Sequence, residues 1–228
     1  MEKSNKNYII AIDGCAATGK SVLAKGIAQK LNILYIDTGA MYRAAGVYFL
    51  EKGLELTEEN IKRNIDSIDI RLAYEDNMTK VFLNNKDVTD KIRTSKASMA
   101  ASDVSKFLPV REKLVELQRK MAENSNVVLE GRDIGTVVFP NATLKIFLSA
   151  TADIRAIRRQ RDLAKKGEIK DIDIIREELL KRDLQDSTRK ESPLRKAEDA
   201  IEIDTTSLTN DETVDMVIEL LKERVELS

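Results

Sequence analysis

The segment Gly14-Cys15-Ala16-Ala17-Thr18-Gly19-Lys20-Ser21 constrains the fold of this chain more than any other. It fits the pattern G-x-x-x-x-G-K-[ST], and its flanks are the ones that pattern requires. The apolar run Tyr8–Asp13 reads as a strand. Leu23, Ile27 and Leu31 recur every fourth residue, the face of a helix over 19–31. Glycines let the backbone wrap with its N–H groups toward one anion, and the helix N-terminus adds partial positive charge at the same point. Lys20 can then reach the β- and γ-phosphates of a nucleotide, and Ser21 Oγ can ligate Mg²⁺. Cys15 reads as a loop side chain tolerated for its size.

Short apolar runs alternate with helical patterns along the rest of the chain. Strands are expected at 33–37, 127–130, 144–148 and 200–203, with helices over 40–50 and 172–190. Thr209 and Glu212 form a capping-box pair ahead of a last helix with Val214, Val217, Ile218 and Leu221 as its apolar stripe. This order predicts an α/β fold, a parallel sheet with helices on both faces. One stretch departs from it. Ile68, Ile70, Leu72 and Tyr74 fall on one face at period two, Thr79–Leu83 follows, and Asn84-Asn85 is a turn pair before Lys86–Val88. We expect an antiparallel insert over 64–93, with 1–63 and 94–228 as the core.

Composition excludes much chemistry. There is no histidine, so no histidine base, nucleophile or metal ligand. The one cysteine excludes an internal disulfide and a thiolate cluster. A net charge of −1 gives no broad surface for nucleic acid. Met1–Asn7 is polar, and no apolar run approaches the roughly 20 residues that span a bilayer, so a cytoplasmic protein, off the membrane, is expected. A GTPase switch needs D-x-x-G, and no Asp here has Gly three residues later. Asn85-Lys86-Asp87-Val88 misses the N-K-x-D base reader by one place. A small kinase is the better class.

Two further segments bear on the acceptor. Asp37-Thr38-Gly39-Ala40-Met41-Tyr42-Arg43 follows the second strand, and Glu130-Gly131-Arg132-Asp133-Ile134-Gly135-Thr136-Val137-Val138-Phe139-Pro140 follows the third. Both fall at the carboxyl edge of an open α/β sheet, where such folds bind ligands. Taken alone, Thr38 reads equally as a helix cap and Arg43 as a solvated side chain. The second segment puts two carboxylates and an arginine at a sheet edge.

With these motifs in order, and with R-x-x-x-D-x-x-R at 182–189, the sequence closely resembles the bacterial cytidylate kinase family along nearly its whole length. The resemblance implies an ATP- and Mg²⁺-dependent kinase for CMP and dCMP, built as a P-loop core, a nucleoside-monophosphate-binding part containing the insert, and a helical lid. Carried over by position, it implies ATP at Gly14, Cys15, Ala16, Ala17, Thr18, Gly19, Lys20, Ser21 and Val22. Thr38, Tyr42 and Arg43 would contact the acceptor nucleotide. Ser102, Arg111 and Asp133 would read cytosine, while Arg132 and Arg43 hold the acceptor phosphate. Arg182, Asp186 and Arg189 would sit near ribose and phosphates. Two positions depart from the family pattern: Cys15 stands where Pro is common, and Glu130 where Asp is common. The latter leaves open whether Glu130 meets Mg²⁺ directly or through water.

Spacing adds independent support. Ile175, Leu179, Arg182, Asp186 and Arg189 follow steps of four, three, four and three, so a core-facing stripe turns ionic. A structural salt-bridge network is the other reading. Arg155, Arg158, Arg159 and Arg161 crowd into seven residues and mark a lid over about 155–170, with Gly167 as a hinge. An acceptor phosphate is already ionised at neutral pH and needs no base, so Lys20, Arg132 and Arg158 are the expected catalytic groups, acting by position and charge. A monomer is expected. A uridylate, adenylate or shikimate kinase of the same fold, and an ATP-gated regulatory module, are the alternatives.

Overall fold

The computed structural model describes residues 7–75 and 78–226. In chain order its main elements are β1 (Ile9–Gly14), α1 (Lys20–Leu31), β2 (Leu34–Asp37), α2 (Thr38–Glu51), α3 (Glu58–Asn64), β3 (Ile70–Glu75), β4 (Met78–Leu83), β5 (Lys86–Asp87), α4 (Ser95–Val104), α5 (Leu108–Ala122), β6 (Val127–Gly131), β7 (Leu144–Ser149), α6 (Ala152–Ala164), α7 (Ile172–Thr188), β8 (Ile201–Asp204) and α8 (Asn210–Lys222). The polar stretch at the N-terminus lies, apart from Asn7, outside the described residues. The chain divides into two compact units, Met1–Tyr35 with Asn124–Ser228, and Ile36–Glu123.

The first unit carries β1, β6, β7, β8 and the start of β2, strands of a five-stranded sheet in the order β2-β6-β1-β7-β8. β1 pairs in parallel with β6 and β7, and β7 with β8. β7 and β8 are neighbours but run parallel, and β1 and β2, like β6 and β7, are not neighbours, so helices cross over the sheet, as the alternation of apolar strand and amphipathic helix requires. Ile10, Ile12, Val128, Leu144 and Ile146 meet Leu23, Ile27, Val214, Val217 and Leu221 from α1 and α8 in one buried core. The capping box at Thr209 and Glu212 opens α8 as the sequence predicts. A smaller cluster joins Ala156 and Leu163 of α6 to Ile175 and Leu179 of α7, and packs them on Ala16 of the phosphate loop.

The second unit holds β3-β4-β5, the antiparallel sheet. Asn84 and Asn85 both have positive φ, 49° and 64°, and turn the chain between β4 and β5. Asparagine tolerates that conformation best after glycine. α2 packs on α4 through Gly46. A Cβ there would lie 2.8 Å from the Ala100 Cβ and 2.9 Å from its carbonyl carbon, so only glycine admits this approach. The antiparallel sheet is one part of a unit that also takes in α2 to α5, a wider division than the 64–93 insert expected from alternation alone.

Candidate functional site

The phosphate loop leaves β1 at Gly14, whose Cβ position would sit 2.2 Å from the Leu148 carbonyl oxygen of β7. No side chain fits there. Gly19 closes the loop at φ 98°, a left-handed conformation that glycine takes without cost. Lys20, Ser21 and Val22 then form the first turn of α1, with Ser21 and Val22 exposed. Lys20 is buried and folds back over its own loop, donating to the Cys15 carbonyl at 2.5 Å. Burial, with Arg132 nearby, brings its pKa down to about 7. Burial pushes the Cys15 thiol up, and Asp183 adds to this, so the sulfur stays protonated and weakly nucleophilic.

Beside the loop, at the carboxyl end of β6, an ionic cluster is assembled. Arg132 Nε donates to Asp186 at 2.9 Å. Arg182 and Arg189 stand 4.0 and 3.9 Å from the same carboxylate, and Arg189 stands 3.9 Å from Asp133. The structure thus brings together Arg132, Asp133, Arg182, Asp186 and Arg189. Three guanidiniums face two carboxylates, an excess of positive charge beside Lys20. Burial works against the Arg132 charge, but Asp186 more than offsets it and holds the pKa above its ordinary value. The stripe on α7 behaves as its spacing predicts: Ile175 and Leu179 are in the core, and Asp186 is buried among arginines.

Sequence reasoning missed Asp183. It lies four residues after Leu179, on the same face, one place off the motif that drew notice to Arg182 and Asp186. Its carboxylate accepts the Ala16 N–H at 3.2 Å and pairs with Arg155, which also donates to the Ala16 carbonyl. Arg155 is therefore pinned at the root of the expected lid. Arg158 donates to the Thr205 carbonyl at 2.6 Å, the Thr205 hydroxyl at 2.9 Å and the Thr18 carbonyl at 3.3 Å. Gly167, at φ 78°, ends α6. Its N–H bonds the Ala164 carbonyl and the Glu168 N–H bonds the Leu163 carbonyl, the paired closure of a Schellman motif.

Glu130 is buried at the end of β6, where Tyr35 donates its hydroxyl to Oε1 at 2.5 Å. Ser21 and Glu130 offer oxygen alone, the donor type Mg²⁺ takes. Among the described residues no group of three His, Cys, Asp or Glu could hold a metal by itself. A Mg²⁺ bound with one or two protein oxygens plus substrate phosphates is compatible with that donor set.

Within the second unit, Asp37 caps α2 by accepting the Ala40 N–H at 2.8 Å and pairs with Arg43 at 3.1 Å. The cap is thus Asp37, and Thr38 is the first, buried residue of the helix. Arg111 of α5 lies over the Tyr42 ring, 5.4 Å from its centroid, and donates to the Ser105 carbonyl. Ser102 accepts the Ser105 hydroxyl on its own carbonyl.

The family model for cytidylate kinase matches residues 10–223. A relative named cytidylate kinase from Carboxydothermus hydrogenoformans is 51% identical over 213 residues, 93% of this chain and 96% of its own. Another of that name, from Halalkalibacterium halodurans, is 48% identical over 99% of this chain and 100% of its own. A solved but uncharacterized protein from Eubacterium ventriosum superposes with a TM-score of 0.53 at 14% identity, covering 96% of this chain and 100% of its own, a likeness of fold alone.

Proposed function

The chain belongs to the cytidylate kinase family, and from that premise we propose that it transfers the γ-phosphoryl group of ATP to CMP or dCMP, giving ADP and CDP or dCDP. One observation carries the reading at this chain's own residues. A phosphate loop and a cluster of three guanidiniums around two buried carboxylates sit at the carboxyl ends of the neighbouring strands β1 and β6. Two anions are to be held side by side, and fixed cations suit both.

The loop N–H groups and Lys20 take the ATP phosphates. Ser21 and Glu130 would hold Mg²⁺, which would neutralise charge on the phosphates. Arg132, Arg182 and Arg189 take the acceptor phosphate. Asp186 fixes their orientation, and Asp133 accepts from the cytosine amino group. Thr38, Tyr42, Arg43, Ser102 and Arg111 supply, within their own unit, a hydroxyl pair, a flat ring and guanidinium forks suited to a nucleoside monophosphate. No proton need be abstracted, because the attacking phosphate oxygen is already ionised. Rate comes from alignment and from cations placed where charge spreads in the transition state. Arg158 meets the transferring group from α6, and closure of the α6–α7 connection over the site excludes water that would hydrolyse ATP. No helix among the described residues is long and apolar enough to cross a membrane. A chain with one cysteine and nucleotide substrates fits the reducing cytoplasm.

An ADP-release assay over CMP, dCMP, UMP, AMP and shikimate tests the reading. Turnover with the cytidine nucleotides well above the others is expected. ATPase activity indifferent to all five would overturn it in favour of an ATP-gated module.

A further inference from the structure

One residue before the phosphate loop stands a buried carboxylate to which the reaction above gives no part. Asp13 is 5% exposed. Its Oδ1 accepts the Ile134 N–H and its Oδ2 the Gly135 N–H, each at 2.8 Å. These are the first two N–H groups of a π-helical turn, Ile134–Val138, and the residues just before it are Arg132 and Asp133. Two acceptors on successive N–H groups fix a peptide in rotation as well as position, which one acceptor does not. The strand ladder adds a second anchor, since Asp13 is the register partner of Gly131. β1 therefore holds the Arg132–Asp133 dipeptide at both ends.

The opposite side of the turn is closed as well. A Cβ on Gly135 would lie 3.1 Å from Lys145 Cδ and 3.5 Å from Asp13 Oδ2. Lys145 is itself held by the Pro140 carbonyl and Asp199. Folding places an unneutralised carboxylate in this spot at a cost: burial raises the Asp13 pKa to about 6. Asp133 adds to the rise, while the two N–H groups and Lys20 counter it. An asparagine or a small apolar residue would avoid that cost but would not offer two acceptors, so the site is built for two oxygens.

We propose that Asp13 is a positioning residue for the acceptor nucleotide, locking the Arg132–Asp133 peptide in register with the phosphate loop. The proposal rests on the functional reading above. Asp13 touches neither substrate, and acts by keeping the acceptor's guanidinium and carboxylate at a fixed distance from the loop that holds ATP.

Asp13→Asn keeps the size and one acceptor but turns an amide N–H₂ toward a backbone N–H. In this variant kcat/KM for CMP is expected to fall on the order of tenfold to a hundredfold, the scale of an ångström misplacement. KM for ATP should stay within about twofold, and the CMP over UMP preference should shrink. Equal losses on the ATP and CMP sides with an unchanged preference would show a merely structural role and overturn the proposal, as would wild-type kinetics. If Asp13→Asn does not fold, the wild-type protein decides. Amide exchange at Ile134 and Gly135, corrected for intrinsic rates, should quicken as pH falls through about 6. Asp133, Lys20 and Lys145 face the same space, so Asp133→Asn serves as the control that the midpoint belongs to Asp13. Protection constant from pH 5 to 8 overturns the proposal. Wild-type protein that does not turn over CMP defeats the functional reading instead, and the exchange experiment then decides the clamp alone.

Discussion

At the residue scale, the charge state of Lys20 is set by its surroundings. Buried and beside Arg132, it has a pKa of about 7 against an ordinary 10.5. The fold disfavours its charge, so its contribution to stability grows as pH rises from about 7 toward 10.5. ATP brings phosphate charge to the same place and reverses the balance. Binding should therefore take up protons, and more of them at pH 8 than at pH 7. Titration calorimetry in buffers of different ionisation enthalpy measures this directly, and Lys20→Met should abolish the excess uptake and cut turnover by orders of magnitude. Uptake equal in wild type and variant would place the proton elsewhere. On the proposed function, Asp133 sets the base preference. Its carboxylate would accept from the cytosine amino group and would meet an oxygen in uracil. An unpaired buried polar group costs about 1–3 kcal/mol, so Asp133→Ala should lower kcat/KM for CMP roughly tenfold more than for UMP. Equal losses would mean that Asp133 only braces Arg189.

At the element scale, α2 and α4 approach through Gly46, where backbone and Ala100 leave no room for a methyl group. Gly46→Ala should cost about 1–3 kcal/mol by overpacking and lower the thermal midpoint by several degrees. A midpoint equal to wild type would contradict the tight approach. α6 has a pinned root, where Arg155 and Asp183 grip Ala16, and a capped end at Gly167. CMP with a non-hydrolysable ATP analogue should slow amide exchange within 155–170, most of all beyond the root, because Arg155 is already held. Protection confined to the phosphate loop would remove the lid. The elements were legible in the sequence because each carries its own period: every fourth residue in α1, alternation in β3, a capping box at α8. Asp183 and Asp13 were not. One is a second carboxylate beside a motif arginine, and the other reads as the polar end of a strand. What each does depends on partners 167 and 121 residues away, which no local pattern encodes.

At the scale of the whole molecule, the parallel sheet sets what the chain can do. Neighbouring parallel strands end on the same edge, so β1 and β6 deliver the phosphate loop and the Arg132–Asp133 turn side by side although more than a hundred residues separate them. The alternation of strand and helix made that edge predictable, and the two motifs identified it. Alternation did not give the extent of the second unit, because the antiparallel hairpin stands out by its period while α2 to α5, which share the unit, resemble any other helices. On the proposed function, this edge selects a cytidine monophosphate as phosphoryl acceptor. The most direct test is one vessel holding the enzyme, γ-labelled ATP, Mg²⁺ and equal concentrations of CMP, UMP and AMP, with products separated at low conversion. The label should appear predominantly in CDP. Label spread evenly over the three diphosphates, or released as inorganic phosphate, would show that the edge does not select cytidine monophosphate.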